Sequence, residues 1–306
     1  MKKRRLGETD LYVSELGLGC MSFPDDPKEV RDIVDAALYA GINFFDTADL
    51  YDGGRNEQLL GDALKGRRSE AIIATKVGNE MNPDGKTWSW NPTKSYIKKA
   101  VKGSIQRLGI DYIDLYQLHG GTMEDNVEET IEAFDELKRE GVIRQYGISS
   151  IRPTVIHRFL NESAGVSVMM QYNMLDRRPE LYFPMIEQFG RSVIARGTVA
   201  KGLLTEQFVQ RLSRGQSFLD YDEKQLHDVI HRLHETENDL HAAAIHFNLY
   251  DPTVATTLIG SRTKEQLIDS VTAYETEIPR TTIEQLRTIA PKQQYAAHNV
   301  AWYDEP

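Results

Sequence analysis

DDPKEVRDIVDAALYAGINFFDTADLY, residues 25–51, reads as a helix running into a strand. Asp26 is placed to cap the helix, Pro27 fits its first turn, and Glu29 completes a capping box. Val30, Ile33, Val34, Ala37 and Leu38 form one apolar stripe, and Gly41 ends it. NFFDT (43–47) is apolar on both faces, as a parallel strand covered by helices should be. It carries Asp46, a carboxylate placed where burial costs most, and Tyr51 lies one short loop beyond.

The same alternation runs along the chain. Further candidate strands are ELGLGC (15–20), AIIATK (71–76), IDLYQLH (113–119), RQYGIS (144–149), VMMQYN (168–173), SVIAR (192–196) and VATTLIG (254–260). Helical stripes lie between them. PTKSYIKKAVKGSIQRLG carries Ile97, Val101, Ile105 and Leu108, and NVEETIEAFDELKREG carries Val127, Ile131, Phe134 and Leu137. The segments 153–162, 178–189 and 263–275 are weaker versions. Eight such units point to an α/β fold, a closed (β/α)8 TIM barrel. A doubly wound sheet is the rival, but the first strand leads into GLGCMSFPDD, without a GxGxxG turn. KRRLGETDLYVSELG (3–17) reads as a hairpin capping the barrel bottom, and 221–237 as an extra helix near the C-terminus. No linker divides the chain, so a single domain over residues 1–306 is expected.

A net charge of -10, spread along 306 residues, argues against broad nucleic-acid binding. No run is long and apolar enough to span a bilayer, so no membrane partner is expected. The basic start lacks the apolar stretch of a signal peptide. Cys20 is the single cysteine and sits in a run that looks buried, so it reads as packing and the location as cytoplasmic. The sequence leaves the oligomeric state open.

In a barrel of this kind the chemistry sits at the carboxyl ends of the strands. Asp46, Lys76 and His119 stand at or near such ends, and Tyr51 follows Asp46. Lys76 can neutralise Asp46, which makes a buried carboxylate tolerable. A free phenol titrates near ~10, too high for easy proton donation, and a neighbouring ammonium favours its ionised form. Tyr51 is then suited to give a proton to a carbonyl oxygen as hydride reaches the carbon. A neutral His119 would position that carbonyl.

FFDTADLY, IIATKVG, DLYQLH and YGISS stand in the order and spacing of the aldo-keto reductase superfamily, and the resemblance runs from RRLGETDLYVSELGLGCM to LIGSRTKEQL. It implies a barrel, NADP(H), no metal, a small-molecule carbonyl substrate, and Asp46, Tyr51, Lys76 and His119 as the catalytic tetrad. By the same resemblance, Ser149, Ser150 and Gln171 meet the nicotinamide carboxamide, with Gly19, Cys20, Met21 and Asp46 lining the floor beside it. Gly260, Ser261, Arg262, Gln266 and Asp269 belong to the segment that holds the adenosine 2'-phosphate. Local physics agrees there: Thr263 and Gln266 read as a capping box, so a helix N-terminus faces an anion, and Arg262 adds charge. NADP is therefore favoured over NAD. In ARGTVAKGLL (195–204), Arg196 takes the place of the family's usual nicotinamide-stacking aromatic, resembling a minority branch of bacterial members, and Gly197 beside it is a further cofactor contact by the same resemblance. Ser150 stands where Asn is common.

Other readings compete. Lys76 alone could be a structural ion-pair partner or a Schiff-base nucleophile, but an adjacent carboxylate stabilises its ammonium. A reductase-like, NADPH-binding regulatory subunit with little turnover is the non-enzymatic alternative. His227 and His231 are one helical turn apart, yet a solvated helix face is the simpler reading for the late histidine cluster. Trp88 and Trp90 follow the third strand and are read as lining the substrate pocket. The loops 120–126 and 201–223 and the tail 291–306 are further candidates for ligand contacts.

Overall fold

A computed structural model describes residues 1–290 and 292–298. Most of the tail expectation, Pro291 and residues 299–306, lies outside the described residues. Twelve strands are described: β1 (Lys3–Arg5), β2 (Tyr12–Ser14), β3 (Leu16–Gly19), β4 (Phe44–Asp46), β5 (Ile72–Val77), β6 (Asn79–Met81), β7 (Trp88–Trp90), β8 (Ile113–His119), β9 (Ile143–Ser149), β10 (Ser167–Gln171), β11 (Ser192–Arg196) and β12 (Val254–Ile259). Eight of them close a parallel barrel in the order β3-β4-β5-β8-β9-β10-β11-β12. The barrel expectation holds, and the eight strands fall on the eight apolar runs. The helices are α1 (Pro27–Tyr39), α2 (Arg55–Ala63), α3 (Lys94–Leu108), α4 (Val127–Arg139), α5 (Pro153–Glu162), α6 (Phe183–Gln188), α7 (Phe208–Ser213), α8 (Glu223–Thr236), α9 (Leu240–Leu249), α10 (Lys264–Glu275) and α11 (Arg280–Ile289).

Two-residue alternation sorts the strand side chains. Phe44, Ala74, Leu115, Met169 and Ile194 meet inside the barrel. Their neighbours Phe45, Ile73 and Tyr116 pack outward, beneath the helices. The hairpin β1–β2 plugs the amino-terminal end, where Leu6, Leu11 and Val13 join the inner cluster. Arg4 fastens it, pairing with Glu15 at 2.8 Å and donating to the carbonyls of Leu249 and Val254.

Several helices depart from the sequence reading. Asp26 caps α1 by accepting from Lys28 N, with no reciprocal Glu29 contact, because the side chain meets the second amide rather than the third. Thr263 caps α10, but Gln266 reaches back to Arg262 N at 2.9 Å instead of closing a box on Thr263. Residues 178–189 divide into a 3-10 turn over Arg178–Tyr182 and α6. The helix α9 gives no stripe to read because LHAAAIHFNL is buried on nearly every side.

The plug generates a stability prediction. Leu11 is buried in the inner cluster, so Leu11→Ala should cost ~2–5 kcal/mol through lost burial and a residual cavity. Denaturant unfolding checks this, and a variant within experimental error of the parent would show that the hairpin is not part of the core.

Candidate active site

The layer above the apolar interior is polar, because the inward parity continues to the strand ends. Asp46 follows Phe44 on the inner face of β4, and Lys76 follows Ala74 on β5. Lys76 is fully buried, and its Nζ donates to Asp46 Oδ2 at 2.7 Å, to the Thr47 carbonyl at 2.7 Å and to Tyr51 Oη at 3.2 Å. Burial alone would push the ammonium toward losing its proton. The Asp46 carboxylate and the Tyr51 oxygen outweigh that and hold Lys76 above the usual lysine range. Burial likewise raises Asp46, and Lys76 pulls it back.

Tyr51 opens a 3-10 turn, Tyr51–Gly54, directly after the loop from β4. Its ring stands edge-on to His119, with centroids 6.0 Å apart and planes at 84°. His119 ends β8 on the inner face. Burial, then the charges of Lys76 and Arg196, lower its imidazole from 6.5 to about 3, so it is neutral at physiological pH. Its Nδ1 is buried without a hydrogen-bond partner, while its carbonyl accepts from Asn79 Nδ2 at 3.0 Å.

Trp88 and Trp90 form β7, which pairs with β6 in a hairpin over the end of β5. The Trp90 ring lies against Gly78, where an added Cβ would come within 2.5 Å of it, and its Nε1 donates to Asp125 at 2.9 Å. Gly78 takes a φ of 128° there, which favours glycine on both counts. Trp90 is thus pinned beside the mouth, whereas Trp88 is 53% exposed.

The other candidate residues ring the same end. Gly19 ends β3 beside the end of β12, where a Cβ on Gly19 would lie 3.5 Å from the Ile259 carbonyl. A Cβ on Gly260 would lie 2.7 Å from Ser22 Oγ. Cys20 is buried, its thiol pushed well up by burial, and Met21 is 65% exposed. Ser149 and Ser150 are buried at the end of β9, with Ser150 Oγ accepting from Arg152 N at 3.2 Å. Gln171 is held at both amide ends: Nε2 donates to Asp176 at 2.8 Å, and Oε1 accepts from Arg196 at 3.3 Å. The Gly197 carbonyl accepts from Asn173. Ser261 Oγ is buried without a partner at the entrance to α10, where Arg262, Gln266 and Asp269 are exposed.

Sequence reasoning missed the residues that brace these groups. Gln117 lies two positions before His119, on the same face of β8, and its amide reaches Asp46 Oδ1 at 3.3 Å. Strand parity was the signal that could have found it. Asn56, on α2, accepts from Thr47 Oγ1 and donates to the Cys20 carbonyl. Asp176 is gripped by Arg178 at 2.7 Å and passes that hold to Gln171. No local pattern marks these last two. Among the described residues, no three metal-ligating side chains gather, and no helix is long and apolar enough to cross a membrane.

Residues 15–291 match the model of the Aldo/keto reductase family. The chain is 49% identical to aldo-keto reductase AKR11C1 from Bacillus halodurans in its holo form, covering 97% of this chain and 99% of that one, with a TM-score of 0.92. It is 47% identical to the uncharacterized oxidoreductase YqkF of Bacillus subtilis, over 97% of this chain and 99% of the relative. The NADH-specific methylglyoxal reductase of Escherichia coli is 32% identical, over 67% of this chain and 69% of the relative. With a family match over most of its length and a near-complete structural relative, the chain belongs to the aldo/keto reductase family of oxidoreductases.

Proposed function

We propose that this protein reduces aldehydes or ketones to alcohols with NADPH, and that Tyr51 delivers the proton. The observation that carries this reading is the Lys76 ammonium, shared between Asp46 Oδ2 at 2.7 Å and Tyr51 Oη at 3.2 Å. Tyr51 releases its proton to the carbonyl oxygen, and Lys76 stabilises the negative charge left on the phenol oxygen. Asp46 keeps Lys76 charged and aimed. Neutral His119 orients the carbonyl by hydrogen bonding, and the Trp88–Trp90 hairpin borders the substrate.

The residues present suit a nicotinamide dinucleotide. Gly19 and Gly260 keep side chains out of adjacent strand ends, and Ser261 Oγ is a buried hydroxyl without a partner. Arg262 is exposed beside the capped N-terminus of α10, a setting suited to a phosphate. Gly19, Cys20, Met21, Ser149, Ser150, Gln171, Arg196 and Gly197 would hold the nicotinamide half. Gly260, Ser261, Arg262, Gln266 and Asp269 would meet the adenosine end, with Arg262 and the N-terminus of α10 on its 2'-phosphate. The bound cofactor supplies the hydride. A relative named as NADH-specific makes the phosphate contact the point to test. The chain is read as one domain and as cytoplasmic, on its single buried cysteine.

Three outcomes are expected. Tyr51→Phe should lower turnover of reactive aldehydes by ~10²–10⁴-fold while NADPH binding, followed by fluorescence titration, survives. Parental activity would sink the proton-donor role. Arg262→Ala should weaken NADPH by about 10- to 100-fold and NADH far less, and equal losses would remove the 2'-phosphate contact.

The third concerns pH. Above 6.5 the His119 position is neutral in both the folded and the unfolded chain. As pH falls from 6.5 toward about 3, the unfolded chain binds a proton that the folded site refuses, so stability drops. Urea unfolding across that window should show a smaller loss for His119→Gln than for the parent. Identical pH dependence would mean that His119 is not held neutral.

A further inference from the structure

We infer that Gln117 is a positioning residue for the proposed reduction, acting through Asp46 to hold the Lys76 ammonium in place. This rests on the proposed reductase reading. Gln117 is fully buried on the inner face of β8, in register with Lys76 on β5. Its Nε2 donates to Asp46 Oδ1 at 3.3 Å, while Lys76 takes Oδ2. The carboxylate is therefore gripped at both oxygens and cannot rotate away from Lys76 without losing one donor. The reversed amide would bring Gln117 Oε1 against a carboxylate oxygen, which is repulsive.

The amide is retained at a cost. Gln117 Oε1 is buried without a hydrogen-bond partner, and an orphaned acceptor in a dry interior is destabilising. Directly below it on the same face, Leu115 fills the apolar layer. A leucine at 117 would remove the orphan, so stability alone does not account for glutamine. What glutamine adds is a donor that favours the charged form of Asp46. The other groups that act on Asp46 are Lys76 on β5, Arg196 on β11 and the Cys20 thiol after β3, while Tyr51 and His119 reach it through Lys76. Among these groups, Gln117 is the one that donates to Asp46 Oδ1, and its contribution depends on orientation.

The test compares Gln117→Leu and Gln117→Glu with the parent. Gln117→Leu should melt at or above the parental temperature at pH 7 and bind NADPH as the parent does. The acid limb of its kcat/KM profile should move up by about one pH unit, an about tenfold loss on that limb, with activity largely recovered at higher pH. Gln117→Glu, whose buried carboxyl stays protonated beside the Asp46 carboxylate and so keeps an O–H donor at that place, should move the limb less than leucine does. A loss of the same factor at every pH, an unmoved limb for leucine, or a larger shift for glutamate than for leucine would overturn the assignment. Infrared absorption of the protonated Asp46 carboxyl, identified with Asp46→Asn, reads the same ionisation without turnover. A parent that reduces no carbonyl would defeat the reductase reading, while the infrared shift would still decide the role of Gln117.

Discussion

Inside the barrel, Asp46 and Lys76 meet at 2.7 Å with almost no access to water. Neither charge is tolerable there alone, because desolvating an isolated ion costs far more than a fold can spare. Each is admitted by the other, and the rest of the site is arranged around that pair. The two further donor bonds of Lys76 go to the Thr47 carbonyl and to Tyr51, so the loop carrying the phenol is tied to the ammonium from two directions. Burial, with this same positive charge and that of Arg196, keeps His119 neutral.

This arrangement depends on a polar shell outside the barrel wall. Thr75, one residue before Lys76, points outward and donates to the buried Glu57 of α2. Glu57 in turn pairs with Arg107 of α3 at 2.6 Å. Asn56, the neighbour of Glu57, bridges Thr47 to the carbonyl of Cys20. One short helix thus fixes the ends of three strands. Asp49, in the loop between Asp46 and Tyr51, is half-buried, and the shielding of its carboxyl first, and the charge of Glu57 next, raise it to about 7.

The strands were legible because parallel strands buried on both faces leave short apolar runs, and Ile113–His119 and Ser192–Arg196 match theirs end for end. The four residues Asp46, Tyr51, Lys76 and His119 were legible because each stands at or just past such a run. Helices were read well where one stripe faces the core, as in α4, and missed where burial is all round, as in α9. The β6–β7 hairpin escaped because three-residue strands carry no period. The capping boxes at Glu29 and Gln266 were over-read: the spacing permits the reciprocal bond, but which backbone amide a side chain finds is decided by the geometry of the turn before it.

By itself, the sequence determined the alternation of apolar run and amphipathic helix, the two-residue alternation within each strand though not which set faces inward, and the residue types at the strand ends. These are local consequences of a two-residue and a 3.6-residue period. Only the tertiary structure decided which atoms meet. Asp46 and Gln117 are 71 residues apart, and Arg196 and Gln171 are 25 apart. No local period relates such pairs. Closing eight strands into a ring gives their inner faces one common interior, and the stagger between neighbours then sets which polar groups lie at the same height.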